Sequence, residues 1–256
     1  MIKLNFKKKQ QSFVNYKELN KKSMIRYPNK TDYNTIIPQT IYQTWHSKVL
    51  PPLMFNAISK IKKYNPNFNY FLFDDNDCRE FIKKHFKPDV LHAYDSLIPG
   101  AYKADLWRYC ILFIRGGIYL DIKYAPLNGF RFINLCESEH LVLDADGAGI
   151  YNALMVCKAG NQILFKAIRQ IVENVKNKYY GSCMLSPTGP KLLPNFVSLN
   201  DPIVDLTHTY TDINNKFINY KGIPIIKSYY GHEVEKAKTS IKPHYSILWS
   251  QRNIYS

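Results

Sequence analysis

The sequence predicts an α/β fold: one Rossmann-type domain with a mostly parallel central sheet flanked by helices. Three observations carry that expectation. Short β-branched or aromatic runs alternate with segments of helical period from Ile36 to Pro126. One stretch, residues 101–125 (AYKADLWRYCILFIRGGIYLDIKYA), reads as helix, tight turn and buried strand. A chain of 256 residues, 46% of them hydrophobic, can bury one large core, and no linker or internal repeat divides it.

The elements follow in order. Residues 1–35 are polar and rich in Lys and Asn, so they are expected to form a basic N-terminal arm, helical near 16–22, ahead of a domain spanning 36–256. Residues 36–42 form the first strand, with Pro38 at its beginning or on an edge. Gln43, Thr44 and Trp45 then stand at a strand end, where a ring can stack on a base and an amide or hydroxyl can bond its edge. Pro51-Pro52 opens a helix over 53–64, and a strand over 70–73 ends at Asp74-Asp75. Helices over 76–86, capped by Asp75 or Asp77, and from Pro88 to Leu97 complete the approach to Pro99-Gly100.

The central stretch is the most informative. Leu106, Tyr109, Cys110 and Phe113 share one apolar helical face, while Asp105 and Arg108 lie three apart on another and can reach one ligand. Gly116-Gly117 ends the helix, because the residue after a helix often needs a positive φ. Residues 118–120 form a short strand that ends in Asp121, with Lys123 two residues on. Ligands in open α/β sheets bind at the carboxyl ends of strands, so Asp105, Arg108, Tyr119, Asp121 and Lys123 are expected to converge on one cleft.

Beyond Pro126 a strand over 140–143 runs into the acidic loop Asp144-Ala145-Asp146. A strand over 151–157 follows, then an amphipathic helix over 161–176 with Leu164, Ala167, Ile168, Ile171 and Val175 on its apolar face. Ser186-Pro187-Thr188-Gly189-Pro190 is expected to start another helix. The last third is less regular, with short strands near 203–206 and 223–226.

The net charge of +15 attracts polyanions, but the lysines are spread over the chain as on a solvated surface. Lys7-Lys8-Lys9 and Lys21-Lys22 are the exceptions, and they suit an anionic membrane surface. Nucleic acid is the disfavoured partner, since a basic binding protein would not explain residues 101–125. Five cysteines without CxxC spacing argue against zinc sites and a disulfide framework. Reduced thiols, with no signal peptide and no apolar run of about 18 residues, suit a soluble, cytoplasmic or cytosol-facing protein.

Ala104-Asp-Leu-Trp-Arg-Tyr109 and Gly116-Gly-Ile-Tyr-Leu-Asp121 resemble the DXD-containing sugar transferases of glycosyltransferase family 32, whose members include initiating α-mannosyltransferases. More distantly the stretch is similar to the glucosylating domain of clostridial toxins. The resemblance implies a GT-A-like fold and a retaining transfer of a hexose from a UDP- or GDP-linked sugar to a glycan or other hydroxyl acceptor. It implies that Asp105, Arg108 and Asp121 are the catalytic group. Gln43, Thr44, Trp45, Tyr119, Lys123 and Trp249 would bind the donor, and Asp121 with His244 would hold a divalent metal, Mn²⁺ or Mg²⁺. Thr188-Gly189-Pro190 resembles a further family motif. The second aspartate of the family's DXD is Lys123 here, which repels a metal and is the one hint of the alternative reading, a catalytically inactive nucleotide-sugar-binding relative. Either Lys123 turns away, leaving a metal site with altered ligands that include His244 or Asp144–Asp146, or it neutralises the diphosphate itself. The turn at residues 124–126 and the family's metal dependence favour the first.

Overall fold

A computed structural model describes residues 22, 24–212, 214–239 and 243–256. In chain order its first half contains β1 (Thr40–Thr44), α1 (Pro52–Tyr64), β2 (Asn69–Phe73), α2 (Asp75–His85), α3 (Pro88–Ser96), α4 (Gly100–Arg115), β3 (Gly117–Leu120), β4 (Tyr124–Pro126) and β5 (Val142–Leu143). The second half adds β6 (Leu154–Cys157), α5 (Gln162–Lys176), β7 (Leu206–Asp212), β8 (Asn215–Tyr220), β9 (Ile223–Ser228), α6 (His232–Thr239) and α7 (Tyr245–Ser250). Among the described residues no helix is long and apolar enough to cross a membrane. All five cysteines are free thiols.

The α/β architecture is as expected, built on two sheets. The first has the order β2-β1-β3-β6. β1 runs parallel to β2 and β3, while β6 runs antiparallel to β3. The second, β4-β9-β8-β7-β5, is mostly antiparallel and was legible only in part. Along β7 (LTHTYTD) buried and exposed residues alternate over the first three positions, as on a sheet with one wet face, and polar Thr and Asp at the exposed positions mask the strand.

Helix α4 is buried nearly all round rather than on one stripe. Asp105 through Leu112 are all below one-tenth exposed, because the helix is wrapped by α2, α3, α5 and the edge of β3. It stops at Gly116, φ +63, and Gly117 follows at φ +104. A Cβ on Gly117 would stand 2.9 Å from the Thr40 carbonyl oxygen, so glycine is what lets β3 lie against β1.

Several expected boundaries move, each for a local reason. The first strand begins at Thr40, because the N–H groups of Ile36 and Ile37 donate to the Cys136 carbonyl instead of a ladder. Asp74, not Asp75 or Asp77, caps α2, and Asp77 answers it in a reciprocal capping box. The helix expected after Pro190 is replaced by turns and one 3-10 turn, Leu193–Asn195, since Pro194 removes the N–H that a second helical turn needs. The strand expected over 151–157 starts at Leu154. Of the arm, residues 24–35 pack on the domain: Tyr27 stacks on Tyr220, and Tyr33 donates to Asn134. The arm helix near 16–22 and the lysine cluster at 7–9 lie outside the described residues, Lys22 excepted.

Gly117→Ala is expected to cost about 2–4 kcal/mol, from a positive φ and a backbone collision together. Urea unfolding checks this. Gly147→Ala, where a Cβ meets nothing within 4 Å, gives the cost of positive φ alone and should be the milder change.

Candidate active site

The site is built where α4 passes the carboxyl end of β3. Arg108 lies at its centre, 5% exposed. Its Nε donates to the Ala104 carbonyl at 3.1 Å and one terminal nitrogen to the Asn152 carbonyl at 2.7 Å. The guanidinium reaches Asp105 Oδ1 at 3.4 Å and Asp121 Oδ1 at 3.3 Å, and it lies 4.3 Å above the Tyr119 ring. One cation thus fixes the spacing of two carboxylates.

The two carboxylates have opposite electrostatics. Asp105 accepts from Thr188 Oγ1 at 2.7 Å and Asn152 Nδ2 at 2.9 Å. Burial still outweighs Arg108 and those bonds, and its pKa is raised. Asp121 accepts from Tyr119 Oη at 2.9 Å and from Lys123 Nζ at 2.7 Å. Burial pushes that carboxyl up too, but Lys123 and Arg108, each on the order of 4 kcal/mol at an effective dielectric of about 20, overcome it. The Asp121 pKa is held at about 2.

Lys123 does not turn away, which corrects the expectation. Residues 121–124 form a turn closed by Tyr124 N–H to the Asp121 carbonyl, and Tyr229 N–H holds the Lys123 carbonyl. The ammonium is folded back on Asp121 and sits 5.4 and 5.3 Å from the Tyr124 and Tyr151 ring centres. Burial works against its charge, but Asp121 prevails and its pKa is raised.

The other expected site residues are placed differently. Gln43 is fully buried, accepting from Tyr70 Oη and donating to the Asp121 carbonyl at 3.3 Å, so it positions Asp121 rather than facing a base. Thr44 Oγ1 donates to the Phe73 carbonyl at 2.9 Å. Trp45 packs beside Met54, Ile58 and Ile122, its Nε1 buried and without a partner among the described residues. Trp249 Nε1 donates to the Tyr180 carbonyl at 2.7 Å and is therefore already engaged. His244 caps α7 through Nδ1, which also meets Ser246 Oγ at 2.7 Å. In the acidic loop, Asp144 bonds His208 and Asp146 pairs with Lys191.

Sequence reasoning missed Asn152, which ties Asp105 to the Tyr109 hydroxyl, and the Thr188 hydroxyl. Thr188 had a signal, since it opens Thr188-Gly189-Pro190; Asn152 had none. Tyr151 was also missed. It bonds Tyr124 Oη at 2.9 Å and stacks on His208 at 3.8 Å, forming a wall beside Lys123. A cavity of about 650 Å³ shares the 186–192 segment but touches neither Asp105 nor Asp121.

These residues do not fit a divalent cation. Both oxygens of Asp121 are taken, one by an ammonium, and a guanidinium stands against the other. Among the described residues no group of three His, Cys, Asp or Glu could hold a metal. Neither His244 nor the Asp144–Asp146 loop supplies the missing ligands.

Asp121→Asn is expected to lower stability at neutral pH by about 3 kcal/mol, because it strands the buried Arg108 and the partly buried Lys123. The exposed pair Asp146–Lys191 is a control, and Asp146→Asn should cost under about 1 kcal/mol. Because the folded Asp121 pKa is depressed to about 2, its contribution is full above pH ~4 and lost as pH falls toward 2. Denaturant titrations should show wild type and Asp121→Asn converging over that window.

Residues 51–141 match the family model described as the glycosyltransferase sugar-binding region containing DXD motif. Inositol phosphoceramide mannosyltransferase 3 of Schizosaccharomyces pombe is 30% identical over 185 residues, 71% of this chain and 51% of the relative. The initiation-specific alpha-1,6-mannosyltransferase of Candida albicans is 31% identical over 112 residues, 41% of this chain and 29% of the relative. The chain thus spans about half the length of the first relative and less of the second. Among solved structures, the PaToxG glycosyltransferase overlaps with a TM-score of 0.49 at 15% identity, over 70% of this chain and 72% of that one. Helices α1–α4 and the strand-end carboxylate Asp121 lie within residues 51–141, the part of the chain that is similar to the DXD-containing glycosyltransferase sugar-binding region.

Proposed function

We propose that this chain is a retaining GT-A-type glycosyltransferase that moves a hexose from a UDP- or GDP-linked sugar to a hydroxyl on a glycan or glycolipid. The observation that supports it is the pairing of Asp105 and Asp121 across Arg108 at the end of β3, two carboxylates whose environments drive their pKa values apart. The names of the fungal relatives make mannose the first sugar to try. The lysines at 7–9 and 21–22 are proposed to meet an anionic membrane surface, which suits a lipid-linked acceptor.

In this reading the donor's C1–O bond to the diphosphate breaks, and its electron pair leaves on the diphosphate oxygen. The acceptor oxygen bonds C1 from the same face, and its proton passes to the departing diphosphate. Asp105 has roughly four lone-pair sites, and Thr188, Asn152 and Arg108 occupy three. The remaining one serves a sugar hydroxyl and steadies the ring as positive charge grows at C1. Arg108 is nearly saturated with protein acceptors, so it acts as the fixed positive centre that orients both carboxylates rather than as a diphosphate clamp.

The test is release of UDP or GDP from UDP-glucose, UDP-galactose and GDP-mannose, alone and with a glycoside or inositol phosphoceramide acceptor. One donor is expected to turn over. Asp105→Asn should lower that rate by about 100-fold or more while melting within a few degrees of wild type. Turnover of no donor with any acceptor would refute the proposal.

A further inference from the structure

The disagreement between the family's metal and this chain's strand-end residues has a chemical resolution. In a metal-dependent site carboxylates would hold a divalent cation, which would supply positive charge for the donor's diphosphate. Here the position two residues past Asp121 supplies a cation instead of a second carboxylate, and that cation is built in. Lys123 Nζ is 2.7 Å from Asp121 Oδ2, and its side chain is only 19% exposed. The rings of Tyr124 and Tyr151 flank the ammonium, and Tyr151 is itself clamped between Tyr124 Oη and the His208 ring. The backbone of Lys123 is pinned by Tyr229 N–H, and that of Asp121 by the Gln43 side chain. An ammonium has three N–H donors, and Asp121 is the one hydrogen-bond acceptor that Lys123 meets among the described residues. Two donors remain for a ligand.

The surroundings reinforce this. Lys216 and Lys236 share a single carboxylate, Glu233, at 3.0 and 4.0 Å. Burial and the charges of Lys123 and Lys216 lower the Lys236 pKa despite Glu233, so these cations feel one another. A diphosphate relieves such crowding, and a divalent metal adds to it.

We propose that Lys123 is the resident cation of this site: its ammonium binds the donor's diphosphate in place of a divalent metal, so donor binding needs none. This rests on the glycosyltransferase reading and adds to it where the charge on the leaving group goes. As the C1–O bond breaks, negative charge gathers on a diphosphate oxygen already facing a fixed N–H donor.

The experiment is calorimetric titration of the full chain with UDP and with GDP, each in EDTA and in MnCl₂. Wild type is expected to bind one of them with Kd values in EDTA and in Mn²⁺ that agree within about threefold. Lys123→Arg, which keeps the charge, should behave alike. Lys123→Met, which keeps the length and removes the charge, should weaken binding by about tenfold or more in EDTA. Lys123→Asp restores the paired carboxylates, and its binding should appear only with Mn²⁺. Melting curves of each variant report whether it folds; should Lys123→Asp not fold, the wild-type and Lys123→Met arms still decide. Wild-type binding that appears only with Mn²⁺ would overturn the role of Lys123 and leave the glycosyltransferase reading standing. An unchanged Kd for Lys123→Met would overturn it too. Binding of neither nucleotide in either buffer would overturn both.

Discussion

The carboxylate of Asp121, held between the Arg108 guanidinium and the Lys123 ammonium, is the contact on which the rest of the site depends. It sits where β3 ends, and it joins the helix before that strand to the turn after it. Removing water from one carboxylate and two cations is costly unless every charge is answered. The fold answers them with Tyr119 Oη, two backbone carbonyls on Arg108 and two tyrosine rings beside Lys123. Gln43 extends the arrangement to β1 by holding the Asp121 carbonyl, and Tyr70 of β2 holds Gln43. Three neighbouring strands of the first sheet are therefore tied to the backbone that carries Asp121.

The second consequence is asymmetry. Arg108 touches both carboxylates, yet the Asp105 pKa is raised and the Asp121 pKa is lowered. Lys123 makes the difference, since Asp105 has only neutral Thr188 and Asn152 beside its share of Arg108. A site with one firmly ionised carboxylate and one more easily protonated can hold a fixed charge and still bond neutral hydroxyls.

Much of this was legible in residues 101–125, because helix, glycine turn and strand are consecutive there and local rules decide them. Asp105, Arg108, Tyr119 and Asp121 meet as their spacing predicts. What escaped was long-range. The direction of Lys123 depends on Tyr229 and Tyr151, far away in sequence, so a turn signal could not fix it. Asn152 and Thr188 reach Asp105 from 47 and 83 residues away. Gln43, Thr44 and Trp249 have donors suited to a nucleotide, but sequence cannot reveal that the protein's own carbonyls use those donors first. Of the second sheet, β5 and β9 lie where strands were expected, while most of β7 escaped because polar Thr and Asp alternate along it and carry little apolar signal.

The central claim is that Asp121 and Lys123 act as one partly buried ion pair rather than as two independent ligands. A double-mutant cycle measures that most directly, with Asp121→Asn, Lys123→Met and the pair compared by urea unfolding at pH 7. The account predicts a coupling of about 1–3 kcal/mol, with the double variant more stable than the sum of the single losses implies. Additivity within about 0.5 kcal/mol would show that the two side chains do not depend on each other, and would contradict it.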